Sequence, residues 1–209
     1  MSIPIYHITH INNLPSILKS GGLIANGRLR REGINYLDIA HGGIQDRRAR
    51  IRVPCGADGV LHNYVPFYFA PRSPMLYAIH KGYVEGYAQG QNPVIHLVFE
   101  AEAIEASNLA FAFTDGHAVM AYADFYDDLD TLEFVIDWKL MHSKYWFDTE
   151  DDPNRKCRRQ AEFLMHQFCP WTLITKIGVI NVTIQSQVLQ MLQNFNHQPT
   201  VTVYPNWYY

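Results

Sequence analysis

Predicted strands and helices follow one another along this chain without a regular strand–helix–strand period. The predicted strands are Ile3–Thr9, Val65–Phe69, Val94–Phe99, Phe111–Phe113, Ala161–Met165, Ile177–Val182 and Thr200–Tyr204. The predicted helices run from Asn12 (as the N-cap) to Ser20, Ile44 to Arg50, Ser73 to Lys81, Leu129 to Met141 in one or two pieces, and Gln185 to Phe195. Loops are predicted at Asn26–Tyr36 and Asp148–Pro153. A doubly wound parallel sheet needs regular alternation, so this order indicates an α+β fold.

The length of the chain favours one domain. Its 209 residues suffice for one substantial core and are few for two ordinary domains, and no linker or repeat is visible, so residues 1–209 are predicted to form a single domain. A hydrophobic fraction of 48% with 18% charged residues excludes a disordered chain. The N-terminus lacks the features of a signal peptide, and no apolar stretch approaches the roughly 20 residues that span a bilayer.

The cysteines indicate a reducing compartment. Cys55, Cys157 and Cys169 are odd in number and lack the spacing of a zinc site or of a disulfide scaffold. We therefore expect a cytoplasmic protein without a structural metal. His7 and His10 lie three residues apart on a predicted strand, where they would face opposite sides and could not share a metal ion.

Positive charge is concentrated in three short segments, although the formal net charge is −3. Eleven of the 17 lysines and arginines are Arg28, Arg30, Arg31, Arg47, Arg48, Arg50, Arg52, Arg155, Lys156, Arg158 and Arg159. If these segments converge, they form a local surface for an anionic ligand. The alternative is three solvated faces that pair with Asp and Glu, and charge alone leaves both interpretations open.

Two further segments have unusual chemistry. Arg158–Leu164 places Glu162 between a basic cluster and an apolar run, where an unpaired acid would be costly to bury. Tyr64–Tyr77 joins a strand to a helix start at which Arg72 and Ser73 would suit an anion. An ordinary ion pair in the first segment and a rigid proline-rich turn in the second are the alternatives. Phosphate-binding, zinc-protease and serine-hydrolase motifs are absent from the sequence.

Several separated motifs, in the same order, make nearly the whole chain resemble the DarT family of DNA ADP-ribosyltransferases. The matching segments are Tyr6–His10, Ile44–Arg48, Tyr64–Tyr77, Thr114–His117, Gln160–Leu164 and Trp207–Tyr209. Members of this family are toxins of the DarT–DarG pair, and the chain is most similar to the branch that modifies thymine in single-stranded DNA.

The resemblance implies an ADP-ribosyltransferase-like fold, with a split mixed or antiparallel sheet flanked by helices. It also implies that ADP-ribose passes from NAD⁺ to a DNA base with release of nicotinamide. Glu162 matches the catalytic glutamate of the family. This assignment is physically reasonable, because a carboxylate stabilises the positive charge that develops on the ribose and can accept a proton from the attacking base.

Other site residues follow from the same resemblance and from the basic segments. Arg48 is expected in catalysis and at NAD⁺. The other residues expected at NAD⁺ are His7, Thr9, Tyr68, Arg72, Ser73 and Met75. The residues expected at DNA are His117, Arg47, Arg50 and Arg159. The Arg28–Tyr36 segment either covers NAD⁺ or the DNA backbone, or is a solvated loop.

The expected partners are NAD⁺, single-stranded DNA and a DarG-type macrodomain antitoxin, and the chain is expected to be a monomer away from membranes. A short basic groove with stacked bases can hold a single strand, whose unstacked base is accessible to chemistry. Three alternatives remain: the same fold acting on RNA or protein, a non-catalytic nucleic-acid-binding module, and a histidine-based hydrolase. The last lacks paired ligands at a useful spacing.

Overall fold

The fold is built on a mixed eight-stranded sheet in a computed structural model that describes residues 2–40 and 42–209. The strands are β1 Pro4–His10, β2 Gly22–Ile24, β3 Tyr64–Tyr68, β4 Val94–Glu100, β5 Phe111–His117, β6 Phe125–Tyr126, β7 Ala161–His166, β8 Phe168–Pro170, β9 Lys176–Val179 and β10 Thr200–Val203. The main sheet has the order β10-β9-β4-β1-β3-β7-β5-β6, and β2 pairs with β8 separately. Only β9 and β10 pair in parallel within the described main sheet.

Helices and short helical turns pack around the sheet. The α-helices are α1 Leu14–Lys19, α2 Asn26–Glu32, α3 Gly42–Arg48, α4 Pro74–His80, α5 Ala101–Ala106, α6 Leu132–Val135, α7 Trp138–Met141, α8 Arg155–Arg158 and α9 Val182–Leu192. The largest apolar cluster contains buried side chains of the central strands, among them Phe67, Phe99 and Phe163. A second cluster, with Leu76 and Ile79, lies where α4 packs. No helix of the described residues is long and apolar enough to cross a bilayer.

The sheet is split between β1 and β3. These strands share one registered pair, Tyr6 with Tyr68, whereas β1 pairs with β4 along its whole length from Pro4 to His10. Pro66 of β3 has no N–H to donate to a neighbouring strand. The His7 side chain of β1 contacts Pro66 instead: its Nδ1 lies 2.9 Å from the Pro66 carbonyl oxygen. The expected α+β architecture with a split mixed sheet is confirmed.

The start of α4 was correctly predicted from its sequence. The Ser73 hydroxyl accepts a hydrogen bond from the Leu76 N–H at 3.1 Å, and Pro74 occupies the first helical position. This arrangement satisfies one free N–H of the first turn, while proline occupies a position that needs no donor. The helix ends at His80, one residue before the predicted end at Lys81.

The Asn26–Tyr36 loop prediction was wrong for its first part. Residues Asn26–Glu32 form α2, with an Arg28–Glu32 ion pair one turn apart. Gly33 ends the helix in the left-handed conformation, at a φ of 65°, which favours glycine. The arginines that suggested a loop are good helix formers, so composition was a poor guide here.

Several predicted boundaries and short elements also differ. The strand predicted to end at Phe113 runs to His117 as β5. Asn181 caps α9 by accepting from the Ile184 N–H, so the strand predicted to reach Val182 ends at Val179. Asn12 lies inside a short helical turn, and its predicted capping role is wrong. Sequence reading also missed β2, β6, β8, α5 and α8. Three of these are strands of only two or three residues, too short to show a periodicity.

Candidate active site

A cavity of about 490 Å³ lies where the sheet divides, and residues of β1, β3, α4 and β7 line it together. This volume is within the usual range of small-molecule sites, roughly 300–1,000 Å³. The split between β1 and β3 therefore brings segments that are far apart in sequence to one place. Six predicted site residues line it beside Glu162: His7, Thr9, Arg48, Tyr68, Met75 and His117.

Glu162 lies in β7, opposite Tyr68 of β3, and only 4% of its surface is exposed. Its burial is compensated by Arg48, the last residue of α3, whose Nη1 lies 2.7 Å from Glu162 Oε2. Arg48 is itself 8% exposed. A buried carboxylate of this kind requires a charged, hydrogen-bonded partner, and Arg48 provides both.

Arg48 retains an unused donor. Its Nη2 is buried and has no hydrogen-bond partner among residues 2–40 and 42–209. A buried donor without a partner is costly in a folded protein. Because Arg48 lines the cavity, a polar group of a bound molecule would satisfy this Nη2.

The β1 side of the cavity carries His7 and Thr9. Burial lowers the pKa of His7, so at neutral pH its ring is uncharged and Nδ1–H donates to the Pro66 carbonyl. Nε2 of this tautomer is then an acceptor. The Thr9 hydroxyl accepts a hydrogen bond from the Asn13 side-chain amide at 3.1 Å. Both side chains are therefore held in place before any ligand binds.

Tyr68 and Met75 form the β3 and α4 sides. Burial raises the pKa of Tyr68, and the neighbouring Glu162 carboxylate raises it further, so the phenol stays neutral. Met75 provides a flexible apolar side chain. Together they supply an aromatic ring and an apolar contact beside the Arg48–Glu162 pair.

Arg72 and Ser73 do not line the cavity. The Arg72 guanidinium lies over the Tyr209 ring, 4.3 Å from its centre, and the Ser73 hydroxyl caps α4. These contacts fix the start of α4, which presents Pro74 and Met75 to the cavity. Both residues therefore support the start of α4 and do not contact the cavity themselves.

His117 and two exposed arginines lie at another side of the site. His117, the last residue of β5, lines the cavity, and burial lowers its pKa below the usual value. Arg47 and Arg50 are exposed near the end of α3, and Arg47 Nη2 donates to the Val119 carbonyl at 2.9 Å. The basic segment that contains Arg48 therefore reaches both the cavity and the surface beside it.

Arg159 requires a correction, because it is not available at a surface that DNA could reach. It is 4% exposed, and its Nη1 lies 2.6 Å from the carbonyl oxygens of Leu140 and of Met141. Nη2 donates to the Arg72 carbonyl at 3.0 Å. Arg159 binds the last carbonyls of α7 and also the Arg72 carbonyl, which comes just before α4. Its role is therefore structural.

Several cavity residues were missed by sequence reading. These are Asn13, Tyr36, Gln45, His62, Phe147, Lys156 and Gln160. Gln45 belongs to the Ile44–Arg48 motif, and its side-chain oxygen lies 3.1 Å from Nε2 of His62. Gln160 likewise lies within a recognised motif, so the motifs could have indicated these two residues. Lys156 belongs to a basic segment and Tyr36 to the segment expected to cover NAD⁺, whereas no sequence pattern marked Asn13, His62 or Phe147.

No metal site is visible in the part of the chain that the structure describes, since no three His, Cys, Asp or Glu side chains group there to hold an ion. The cavity lining provides the carboxylates of Glu162 and Asp38, the cations of Arg48 and Lys156, imidazoles and several phenols. Such groups can bind a polar ligand, stabilise a developing positive charge and accept a proton.

Comparisons with known proteins agree with this geometry. The family model described as "ssDNA thymidine ADP-ribosyltransferase, DarT" matches residues 6–209. A DNA ADP-ribosyl transferase of Thermus sp. (strain 2.9) is 44% identical over 208 residues, which cover 99% of this chain and 96% of the relative. A Thermosipho africanus protein is named a DNA ADP-ribosyl transferase–DNA ADP-ribosyl glycohydrolase fusion. It is 27% identical over 209 residues, and the match covers only 50% of that relative.

Solved structures give the same result. The fold matches Thermus sp. 2.9 DarT in complex with ADP-ribosylated ssDNA, with a TM-score of 0.91, 42% identity, and coverage of 99% of this chain and 96% of that one. The same Thermus protein in complex with NAD⁺ matches with a TM-score of 0.88 and 41% identity over 99% of this chain and 98% of that one. The chain therefore belongs to the DarT family of single-stranded-DNA thymidine ADP-ribosyltransferases.

Proposed function

We propose that Glu162 and Arg48 are the catalytic residues with which this DNA ADP-ribosyltransferase transfers ADP-ribose from NAD⁺ to thymine in single-stranded DNA. The observation that carries this proposal is the buried ion pair of the two side chains, 2.7 Å between Nη1 and Oε2, in the lining of the main cavity. The family assignment of the whole chain and the likeness to an NAD⁺ complex support NAD⁺ as the donor.

The reaction breaks the bond between ribose C1′ and the nicotinamide nitrogen, and nicotinamide leaves with the bonding electrons. Positive charge then develops on the ribose, and the buried Glu162 carboxylate stabilises it. A thymine atom bonds to C1′ and releases a proton, for which Glu162 is the nearby acceptor. Arg48 balances the charge of Glu162 and donates its free Nη2 to substrate.

The NAD⁺ side of the site is proposed at His7, Thr9, Tyr68 and Met75, which line the cavity beside Glu162. The neutral His7 ring offers Nε2 as an acceptor, and the Thr9 hydroxyl is held by Asn13. We propose that the Tyr68 ring stacks on nicotinamide. Arg72 and Ser73 would act on NAD⁺ indirectly, by fixing the start of α4.

The DNA side of the site is proposed at His117, Arg47 and Arg50. His117 is uncharged at neutral pH because burial lowers its pKa, so it suits a hydrogen bond to a base better than a contact with phosphate. The exposed guanidiniums of Arg47 and Arg50 suit phosphates. Phe147, which lines the cavity and is half exposed, offers a ring on which a neighbouring base can stack.

Further parts of the proposal concern the protein in the cell. We propose that residues 1–209 form one catalytic domain, that the chain acts as a monomer in the cytoplasm, and that a DarG-type macrodomain protein reverses the modification. Three free thiols are compatible with a reducing compartment. The relative named as a fusion with a DNA ADP-ribosyl glycohydrolase supports a reversing partner.

The direct test uses short oligonucleotides that differ in one base. The protein and NAD⁺ are incubated with a single-stranded DNA containing one thymine, with the same strand carrying cytosine there, and with its RNA counterpart. Mass spectrometry should show one added ADP-ribose on the thymine strand alone, with an equal amount of free nicotinamide. Equal modification of the cytosine strand or of RNA would contradict the acceptor assignment.

The residue assignment is tested with Glu162→Gln, which keeps the size of the side chain and removes its charge. We expect this variant to bind NAD⁺ and to modify the thymine strand about 10³-fold more slowly than the parent. Transfer at the parent rate would contradict the role of Glu162 without affecting the assignment of the acceptor.

A further inference from the structure

The strand next to Glu162 changes register directly beside it. Phe113 of β5 lies opposite Phe163 of β7, and the next registered pair is His117 with Ala161. Three β5 residues, Thr114 to Gly116, therefore face the single residue Glu162 on β7. This irregularity is a β-bulge with two extra residues, and bulges next to active sites can re-aim a side chain.

The Thr114 side chain replaces the missing contact between the strands. Its hydroxyl oxygen accepts a hydrogen bond from the Glu162 N–H at 3.1 Å and donates to the Gly116 carbonyl at 2.7 Å. Thr114 is 0% exposed and does not line the cavity. One buried hydroxyl thus supports both the peptide group of Glu162 and the turn of the bulge.

The rest of the bulge is held by its own contacts. The Asp115 carboxylate accepts the Asp124 N–H at 3.1 Å. A Cβ on Gly116 would lie 3.0 Å from Cys157 Sγ, so this position packs tightly against α8. After these two residues β5 returns to register at His117, which lines the cavity. The bulge therefore connects the position of Glu162 with that of His117.

We propose that Thr114 is a positioning residue for ADP-ribose transfer: its hydroxyl fixes the peptide of Glu162 and so holds the carboxylate at Arg48 and at the ribose. This inference rests on the catalytic role proposed for Glu162. Without the hydroxyl, a buried N–H would lose its partner, and β7 would have to shift or admit water to satisfy it. Either change moves the carboxylate relative to substrate.

Two comparisons isolate the effect of the hydroxyl: the parent with Thr114→Val, and Thr114→Ser with Thr114→Ala. Thr114→Val keeps the shape of the side chain and removes the donor and acceptor. Thr114→Ser and Thr114→Ala both lack the methyl group and differ from each other by one oxygen atom. If Thr114→Val does not fold, the serine and alanine variants still measure the effect of the hydroxyl.

The measurement is kcat and KM for NAD⁺ with saturating single-stranded DNA, together with the Kd for NAD⁺ and the thermal unfolding midpoint. We expect kcat to fall about 10- to 100-fold in Thr114→Val, since a small misplacement of a catalytic group has an effect of this size. The Kd for NAD⁺ should stay near that of the parent. Thr114→Ser should recover most of the kcat that Thr114→Ala loses.

Two results would overturn the inference: a kcat of Thr114→Val close to that of the parent, or serine and alanine variants with equal kcat. Thr175→Val is the control, because the Thr175 hydroxyl also donates to a backbone carbonyl, that of Val98, away from the cavity. It should leave kcat unchanged. The parent protein distinguishes failure of this inference from failure of the proposed function, because absence of transfer by the parent would refute the proposed function itself.

Discussion

Two arginine-rich segments look alike in the sequence and serve different purposes in the structure. In the first segment, Arg47–Arg52, Arg48 enters the cavity and pairs with Glu162. In the second segment, Arg155–Arg159, Arg159 binds backbone carbonyls, while Arg158 pairs with Asp137 and Asp152. The second segment is next to Glu162 in sequence, yet the arginine that contacts the carboxylate comes from 114 residues away.

The difference lies in what each guanidinium meets. Arg48 meets a carboxylate and lines the cavity, an arrangement that places a charged pair beside a bound ligand. Arg159 gives both Nη1 and Nη2 to main-chain oxygens of two distant segments, an arrangement that holds a fold together. Arg48 of the first segment should therefore control the transfer rate, and Arg158 and Arg159 of the second should control stability.

The largest expected effect is that of Glu162→Gln on the rate. Loss of one positioned charged group at the reacting centre typically costs about 10³-fold in kcat. We expect a loss of this order, measured by mass spectrometry of a thymine-containing strand over time. Arg155→Gln, from the second segment, is the comparison, and a similar loss there would remove the distinction between the segments.

Arg48→Lys should lower kcat by about 100-fold, because lysine keeps the charge and loses the planar fork that reaches both Glu162 and substrate. Steady-state rates at saturating DNA measure this effect. Arg52→Lys, an exposed residue of the same segment that pairs with Asp58, is the control and should leave kcat almost unchanged. Parent-like turnover by Arg48→Lys would show that only the charge of Arg48 matters.

Arg159→Met should affect stability instead of rate. The substitution leaves the Met141 carbonyl without its donor and removes one donor from the Leu140 carbonyl, which still accepts from the Ser143 N–H. We expect a loss of about 3 kcal/mol in the free energy of unfolding, or about 6–12 °C in Tm for a chain of this size. Calorimetry measures it, and the kcat of the folded fraction should equal that of the parent. An unchanged Tm with a lower kcat would instead place Arg159 in the site.

The smallest effect is expected for Arg158→Gln. The Arg158 guanidinium lowers the pKa of the Asp152 carboxyl, mainly through its hydrogen bond. This pairing stabilises the fold above the usual aspartate pKa of about 4, and the stabilisation is lost as pH falls through the lowered value. Both groups are partly exposed, so Tm at pH 7 should fall by less than about 3 °C. The Tm difference from the parent should shrink at pH 3, and a constant difference would exclude the ion pair as its cause.

The sequence predicted those elements whose signals lie within a few neighbouring residues. The Ser73-Pro74 cap and the apolar run Val94–Phe99 indicate their helix and strand without any knowledge of neighbours. The Arg48–Glu162 pair has no local signature, because its members are 114 residues apart. The family resemblance indicated each residue separately, and only the structure shows that they pair. Arg159 was misassigned because its partners are main-chain oxygens, which no side-chain pattern records.

The same reasoning explains the short elements and the bulge. Strands such as β2 and β8 form because they pair with each other across more than 140 residues, and neither is long enough to show a period. The extra residues at Thr114–Gly116 become a bulge only when β7 lies beside them. Tertiary contacts decide both features.

The central claim is that Arg48 and Glu162 act as one unit in the transfer step. A double-mutant cycle on the single-turnover rate of ADP-ribose transfer, with Arg48→Lys, Glu162→Gln and the double variant, tests it most directly. Residues that act as a unit are strongly non-additive, so we predict that the double variant is no slower than Glu162→Gln alone. A double variant slowed by the product of the two single effects would contradict the claim.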